Sequence, residues 1–183
     1  QKVLDEVIIN SGRILIPFSD ENRNLIIIDS VFLNNSSAKN LSEILQQVIG
    51  VDIRRRGNDD IQSDLYIRGG SFDQTLLLIN GIKVEDSQTG HHQMNLSVPT
   101  NLIDKIEILK GPGSRIFGMN AFNGAVNIIT KKNSENGYIN LDYGSFKTFQ
   151  ASGSIPINTK KTSHILSSAY RQSDGYRYNT DYN

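Results

Sequence analysis

The sequence predicts a strand-rich fold that also contains short helices. Three short apolar segments each end in a glycine turn and a fourth closes the series: Leu65–Gly70, Leu76–Ile82, Ile106–Pro112 and Gly124–Lys131. The 15 glycines of the chain favour a fold with many turns. Because 37% of the residues are hydrophobic, the chain can also bury a core.

Composition limits the classes of function. A chain of 183 residues fits one domain, or one domain with an appendage. The 19 basic and 19 acidic side chains balance, which argues against a nucleic-acid-binding surface. No cysteine is present, so disulfides and thiolate metal sites are excluded. No segment has the ~18 apolar residues of a membrane helix. The N-terminal residues lack the apolar core of a signal peptide, and we therefore expect the numbering to start after a leader or an upstream domain.

The first 50 residues predict a loose tail, one strand and two helices. The tail contains Asp5–Asn10, which is either an ordinary edge strand or a strand that docks on another protein's sheet. Leu25–Ile28 predicts a buried strand, after which Asp29 or Ser30 caps a short helical turn. Ser36 and Ser37 are the expected N-caps of the next helix. Gly50 is expected to end that helix in the left-handed conformation. The helix is predicted by four apolar residues at helical spacing: Leu41, Ile44, Leu45 and Val48.

The middle of the chain predicts strands joined by tight turns. Val51–Arg54 alternates as a strand, and the arginines at 54–56 precede two aspartates, which indicates a solvated loop. Strands are expected over 64–68 and 75–84, with Asn80-Gly81 as a hairpin turn because both residues tolerate positive φ. A long polar loop follows, then a short helix over 100–104, a strand through Ile106 and Ile108, one helical turn at 114–117 and a last strand at 126–130.

After Lys132 the pattern changes to strict alternation. Ile139, Leu141 and Tyr143 share one face of a strand, while Asn140 and Asp142 lie on the other. Such strands are typical of a membrane β-barrel, apolar outside and polar inside. With turns at Gly144-Ser145 and over 156–161, about three strands fit here, whereas barrels need at least ~8. The chain is therefore predicted to be the N-terminal part of a larger protein.

Several glycine-punctuated motifs occur in the order Ile67–Gly69, Leu78–Gly81, Ile106–Pro112, Phe117-Gly118 and Gly124–Ile129. In this order they resemble the plug domain of TonB-dependent outer-membrane receptors, and within that family the cobalamin-receptor type. The resemblance covers about residues 3–183. It implies an α+β plug domain with a small mixed four-stranded sheet and short helices, followed by about three antiparallel strands of a truncated membrane β-barrel.

The resemblance also implies a division of the chain and two sets of protein contacts. Residues 1–22 are assigned to the TonB-box tail and linker, residues 23–132 to the plug domain and residues 133–183 to the first barrel strands. The family's plug–barrel contacts are carried over to Arg68, Glu107 and Lys110. Lys110 stands where the family usually has arginine, and lysine lacks the bidentate fork, which weakens a plug–wall bond. The TonB-binding residues implied are Asp5, Glu6, Val7, Ile8, Ile9 and Asn10.

The ligand is expected at two loops that the resemblance places at the outer face. Their mixture of hydroxyls, amides, an aromatic ring and a thioether suits a large amphipathic ligand, although solvated loops without a ligand role are the alternative. His91-His92 is the only metal-capable cluster; one imidazole could ligate haem iron or cobalt in a bound ligand, or both are plain loop histidines. The candidate residues are Ser71, Phe72, Asp73, Gln74, Ser87, Gln88, Thr89, His91, His92 and Met94.

Together these features predict a receptor that imports cobalamin, haem or a ferric siderophore, with the plug gating the barrel lumen. The expected partners are TonB with its inner-membrane energising complex, the nutrient and outer-membrane lipid, without nucleic acid. The expected location is the outer membrane of a Gram-negative bacterium, with the tail facing the periplasm. No resident cofactor or metal is predicted. Enzyme motifs such as Gly-x-Ser-x-Gly are lacking, and the alternative is a soluble β-rich adhesion or glycan-binding module.

Overall fold

The structure, a computed structural model, describes residues 8–9, 16–17, 24–38, 40–56, 62–86, 88–91, 93–94, 96, 98–132 and 136–175. The chain divides into two compact units, Gln1–Thr130 and Lys131–Asn183. We call them unit 1 and unit 2. Within the described residues, no helix combines the length and apolar character needed to cross a bilayer.

Unit 1 contains nine strands and three short helices among its described residues. The strands are β1 (Ile8–Ile9), β2 (Ile16–Pro17), β3 (Leu25–Ile28), β4 (Val51–Arg55), β5 (Ser63–Ile67), β6 (Thr75–Ile79), β7 (Ile82–Val84), β8 (Ile103–Lys110) and β9 (Gly124–Thr130). The helices are α1 (Ser30–Asn35), α2 (Leu41–Gln46) and α3 (Ser114–Phe117), and 3₁₀ turns cover Phe72–Gln74 and Thr100–Leu102.

The central sheet of unit 1 has the order β3-β8-β9-β6-β7. β6 and β9 run parallel and the other pairs run antiparallel, so the sheet is mixed, as predicted. It has five strands among the described residues, one more than expected, because β7 folds back on β6. β4 and β5 form a separate antiparallel hairpin. The α+β prediction is therefore confirmed, with one strand added at the sheet edge.

The sheet buries apolar side chains on both faces. One cluster joins Ile106, Val126 and Leu77 of the sheet to helix α2 and the β4–β5 hairpin. The second cluster, on the opposite face, includes Leu76 and Leu109. Because both faces of these strands are buried, their sequences are nearly continuously apolar and do not alternate between apolar and polar residues.

Two local predictions from turn chemistry are confirmed. Asn80 and Gly81 have φ values of 52° and 80°, as the two central residues of this hairpin turn require. The Asn80 side chain adds a second function, because its Oδ1 accepts a hydrogen bond of 2.9 Å from the Thr130 amide. Asp29 caps α1 by accepting from the Phe32 amide at 2.8 Å.

Three predicted boundaries are wrong. Helix α2 is capped by Asn40, whose Oδ1 accepts from the Glu43 amide at 2.9 Å, whereas Ser36 follows the end of α1. The predicted helix over 100–104 is only a 3₁₀ turn, because Ile103 already pairs with Thr130 in the sheet. Strand β4 extends one residue beyond the predicted Val51–Arg54, because Arg55, which was expected in a solvated loop, also lies in it.

The described residues of unit 2 form a three-stranded antiparallel sheet with the order β10-β11-β12, where β10 is Tyr138–Gly144, β11 is Thr148–Asn158 and β12 is Ser163–Gln172. The three predicted strands are present. The second turn begins later than predicted, because Pro156 pairs with Ile165 inside the ladder. The turn itself is closed by a 2.8 Å bond from the Thr159 amide to the Thr162 carbonyl.

Candidate ligand-contact site

The first predicted ligand loop follows strand β5 and is fixed by bonds within unit 1. Arg68 and Gly69 both have positive φ, 53° and 74°, so the chain reverses directly after β5. Gln74 then closes the loop, because its Oε1 accepts from the Ser71 amide at 3.3 Å and from Asn123 Nδ2 at 2.7 Å. The Gln74 side chain, a predicted ligand contact, thus already has two partners.

The second predicted loop is organised by Asp86. Its carboxylate accepts bonds from the Gln88 amide at 3.2 Å, the Thr89 amide at 3.2 Å and the Thr89 hydroxyl at 2.8 Å. Gly90 follows with φ +71°, and a Cβ there would lie 3.4 Å from Phe72 Cε2. This left-handed turn brings His91 against the first loop.

The two predicted loops meet through stacked rings. The Phe72 and His91 ring centroids lie 4.3 Å apart with planes inclined by 32°. Tyr66 of β5 meets Phe72 edge to face at 6.3 Å, and the Arg54 guanidinium lies 4.3 Å above the Tyr66 ring. We call Arg54, Tyr66, Phe72 and His91 the aromatic ladder. It connects both loops to the β4–β5 hairpin, and its aromatic and cation–π contacts stabilise this arrangement.

A buried carboxylate holds the end of this ladder. Asp64 Oδ1 lies 3.0 Å from His91 Nδ1, and the Asp64 side chain is only 3% exposed whereas that of His91 is 33% exposed. A buried carboxylate needs hydrogen bonds in place of lost water, and the imidazole supplies one. The pair therefore fixes the orientation of His91 while leaving part of its ring accessible.

The predicted ligand residues differ in accessibility. Asp73, Gln88 and Thr89 are exposed, as is Gln74, and the side chains of Ser71, Phe72 and His91 are half-buried. Met94 is 4% exposed and packs in the first core cluster, where burial of its apolar thioether is favourable. Its role as a ligand contact stays a prediction. Ser87 and His92 lie outside the described residues.

The sequence analysis did not predict the residues of the β4–β5 hairpin that contact the two loops and each other. Arg54, Tyr66 and Asp64 were not predicted as site residues, although all three lie on the β4–β5 hairpin. A signal existed for one of them, because an aspartate in an otherwise apolar strand needs a specific partner.

The three predicted plug–barrel residues have different surroundings within unit 1. Arg68 is exposed. Lys110 Nζ donates to the Ile49 carbonyl at 3.0 Å, across the end of the α2–β4 connection. Glu107 is fully buried, with Lys105 Nζ 3.0 Å from its Oε1 and Asn127 Nδ2 3.5 Å from its Oε2. Contact of these residues with a barrel wall stays a prediction.

The predicted TonB-binding segment is described only at Ile8 and Ile9. These two residues form β1, which pairs antiparallel with β2 in the register Ile8 to Pro17 and Ile9 to Ile16. The predicted residues Asp5, Glu6, Val7 and Asn10 lie outside the described part of the chain. The extended backbone at Ile8–Ile9 agrees with a strand but does not test TonB binding.

Comparison with known families identifies this arrangement of mixed sheet, loops and following strands. The family model described as the TonB-dependent receptor plug domain matches residues 19–125. The chain belongs to this family. The relatives described below are named as transporters and receptors, not as enzymes.

Curated relatives of this plug domain are named vitamin B12 transporters. The vitamin B12 transporter BtuB of Vibrio vulnificus strain CMCP6 is 28% identical over 143 residues, 77% of this chain and 23% of that protein. That of Vibrio cholerae strain O395 is 30% identical over 131 residues, 72% of this chain and 21% of that protein. The chain thus spans less than a quarter of the length of these relatives.

Solved receptors share the fold of this plug domain and the strands that follow it. The ferripyoverdine receptor of the Pseudomonas aeruginosa outer membrane, solved bound to ferripyoverdine, superposes with a TM-score of 0.71 at 17% identity, covering 90% of this chain and 22% of that one. The alcaligin outer-membrane receptor of Bordetella pertussis gives 0.71 at 15% identity, covering 91% and 29%. The α+β plug followed by antiparallel strands is therefore the fold of these receptors.

Proposed function

We propose that this chain is the plug domain and first barrel strands of a TonB-dependent receptor that binds a scarce nutrient and imports it across the outer membrane of a Gram-negative bacterium. The plug gates the barrel lumen, and its tail faces the periplasm. The observation that carries this proposal is the family match over residues 19–125, directly followed by strands with an exposed apolar face.

The apolar face of unit 2 supports contact with lipid. Ile139, Leu141 and Tyr143 of β10 are 85%, 67% and 79% exposed, and alternate with polar residues along the strand. Strands that carry apolar side chains on one face and polar ones on the other suit a wall between hydrocarbon and an aqueous lumen.

The two ligand loops support a role in nutrient contact. They carry accessible polar groups around half-buried rings, the mixture expected for a large amphipathic ligand. Cobalamin is the first candidate because the curated relatives are named vitamin B12 transporters. Haem and ferric siderophores are the other candidates.

The tail is proposed to bind TonB by strand addition, with TonB driven by its inner-membrane energising complex. The backbone at Ile8–Ile9 is already extended, so pairing with a partner strand needs no change of secondary structure. Main-chain hydrogen bonds would supply affinity, and apolar side chains along residues 7–9 would supply specificity.

An uptake assay tests this proposal. Gram-negative cells that express the receptor containing this chain are supplied with labelled cobalamin, haem or a ferric siderophore, in the presence and absence of TonB. Ile8→Pro removes one backbone donor from the docking strand, whereas the control Ile8→Leu keeps it. We expect Ile8→Pro to lower uptake at least 10-fold without changing nutrient binding. Equal uptake with and without TonB for every nutrient would refute the proposal.

A further inference from the structure

Residues 118–123, which we call the third loop, lie beside the two predicted ligand loops. The third loop directly precedes β9, and the first ligand loop directly precedes β6. Because Thr75 of β6 pairs with Gly124 of β9 in a parallel arrangement, both loops lie at the same end of the sheet. The second ligand loop starts at this end as well, because β7 runs back antiparallel along β6.

Hydrogen bonds hold the third loop against both ligand loops. The Asn123 amide donates to the Gln74 carbonyl of the first ligand loop at 3.0 Å. Asn120 Nδ2 donates at 3.2 Å to Oε1 of Glu85, the residue at which the chain leaves β7 for the second ligand loop. Between these two contacts, Ala121 is fully buried in the second core cluster. The third loop is thus anchored at its centre and on both sides.

Two large apolar side chains of this anchored loop are exposed. Met119 is 82% exposed and Phe122 is 65% exposed, on either side of the buried Ala121. Turning them into the core would require the loop to give up its anchoring contacts. Exposed apolar side chains that occur together on a fixed loop indicate a contact surface for a partner.

The two ligand loops lack the accessible apolar groups that the third loop offers. Among their described residues, the exposed side chains are polar, as in Asp73 and Thr89, whereas the Phe72 ring is half-buried. A site for a small molecule is usually lined mostly by apolar side chains, with a few polar groups that fix orientation. Met119 and Phe122 supply the missing apolar part.

The barrel wall is a poorer partner for these two side chains. Membrane barrels place apolar side chains against lipid and polar ones towards the lumen. The face of β10 opposite its apolar residues carries Asn140 and Asp142, in agreement with this rule. A polar lumen wall gives Met119 and Phe122 no apolar surface to contact, whereas an amphipathic nutrient does.

We infer that Met119 and Phe122 form the apolar part of the nutrient site and contact the hydrocarbon surface of a macrocyclic nutrient. This inference rests on the proposed role of the two ligand loops in nutrient contact. Among the candidate nutrients, haem and cobalamin carry methyl-substituted macrocycles, and burial of this surface against the third loop adds to affinity. A hydrophilic siderophore gains nothing from the two side chains.

The test is isothermal titration calorimetry of the full receptor in lipid nanodiscs with hemin, cyanocobalamin and the hydrophilic siderophore complex ferrichrome. We expect hemin or cyanocobalamin to bind with a negative heat-capacity change, the marker of apolar burial. Replacing both residues, Met119→Ser with Phe122→Ser, should weaken binding of that probe about 10- to 100-fold and make the heat-capacity change less negative. The control Ile82→Ser alters a side chain that is 72% exposed beside the turn at the other end of the sheet, and should change neither quantity.

A second pair of substitutions separates nutrient contact from a structural role. Met119→Leu with Phe122→Leu keeps apolar side chains on the loop and should retain most of the affinity. Because both side chains are exposed, neither double variant should change the thermal unfolding of the nutrient-free receptor. Altered unfolding together with unchanged binding would show that the two residues contact the rest of the receptor instead, and would overturn the inference.

The outcomes distinguish this inference from the function on which it rests. If neither hemin nor cyanocobalamin binds, or if the double serine variant binds the responding probe as tightly as the unchanged receptor, the inference is overturned. TonB-dependent uptake of any nutrient by cells that express the receptor would then leave the proposed function standing. Equal uptake of every nutrient with and without TonB would instead refute that function.

Discussion

The two units of the chain use similar apolar residues in opposite surroundings. In unit 1, Leu77 and Ile108 are fully buried in a sheet that is covered by apolar clusters on both faces. In unit 2, Leu141 and Ile139 of β10 are 67% and 85% exposed. The difference shows that apolar content does not define a core. The unit 1 sheet is covered by apolar side chains on both faces, whereas both the apolar and the polar face of β10 are exposed.

Charged groups differ between the units in the same way. In the Lys105–Glu107 pair of unit 1, the Glu107 side chain is fully buried and the Lys105 side chain is 14% exposed. The Lys147–Asp174 pair in unit 2 has a shorter distance, 2.7 Å, but its two side chains are 79% and 46% exposed. Distance alone therefore does not measure the contribution of an ion pair, because burial sets the penalty for losing a partner.

The largest expected effect comes from breaking the buried pair. Lys105→Met leaves the Glu107 carboxylate buried without this cation, which should lower the free energy of unfolding of unit 1 by about 3–5 kcal/mol. Hydrogen exchange of the β8 and β9 amides in urea measures it. Lys147→Met is the matched control and should leave those amides unchanged. Similar exchange after both substitutions would contradict the distinction between buried and exposed pairs.

The next effect compares one residue type in both units. Leu77→Ala removes a fully buried side chain and should cost unit 1 about 2–5 kcal/mol, the transfer energy plus a cavity. Leu141→Ala removes a side chain that already faces outward, and should leave the unfolding of unit 2 in detergent micelles nearly unchanged. Urea unfolding followed by hydrogen exchange of each unit provides the comparison. A larger loss of unfolding free energy for Leu141→Ala than for Leu77→Ala would contradict the exposed position of the Leu141 side chain.

A smaller effect is expected from close backbone approach. A Cβ at Gly124 would clash with the Leu109 carbonyl oxygen, so Gly124→Ala forces β8 and β9 apart at an expected cost of about 1–3 kcal/mol. At Gly144 the nearest atom is 3.9 Å away, an ordinary contact, and Gly144→Ala should be nearly neutral. Thermal unfolding monitored by circular dichroism compares the two variants; an equally stable Gly124→Ala protein would argue against this strand register.

The smallest effect concerns the exposed pair of unit 2. The hydrogen bond from Lys147 to Asp174, together with the charge of that carboxylate, raises the pKa of Lys147 above its ordinary value of 10.5. The stabilisation is thus fully present below pH 10.5 and is lost as the pH rises through the raised value. Titration of Lys147 by NMR, with Asp174→Asn as the comparison, should show the higher pKa only when Asp174 is present. An unchanged titration in that variant would exclude the pair as the cause.

Local sequence signals predicted those features whose cause is local. The Asn80-Gly81 hairpin and the Asp29 cap each depend on residues within a few positions of one another. The same kind of signal failed where several capping residues compete: Ser36, Ser37 and Asn40 all precede α2, and only Asn40 lies immediately before the first buried leucine of the helix. Helix boundaries therefore depended on packing as well as on capping chemistry.

The candidate site was predictable as two loops but not as a cluster. Phe72 and His91 were named as ligand residues, yet their stacking depends on the turn at Gly90 and on Asp64, which is 27 residues from His91. Met94 was named as a ligand residue because a thioether suits an apolar contact, but its side chain packs in the core. Such pairings follow from how β5 and the two loops are brought together, which no local pattern contains.

By itself, the sequence determined the succession of strands, the α+β class, the alternating face of unit 2 and the family to which the plug motifs belong. These follow from side-chain periodicity and turn chemistry, which act over a few residues. Only the tertiary structure decided that Asp64 orients His91, that Lys105 accompanies the buried Glu107 and that Lys110 binds the Ile49 carbonyl. The first two partnerships depend on burial, and the third joins residues 61 positions apart. The chain acquires both burial and such contacts only when distant segments pack together.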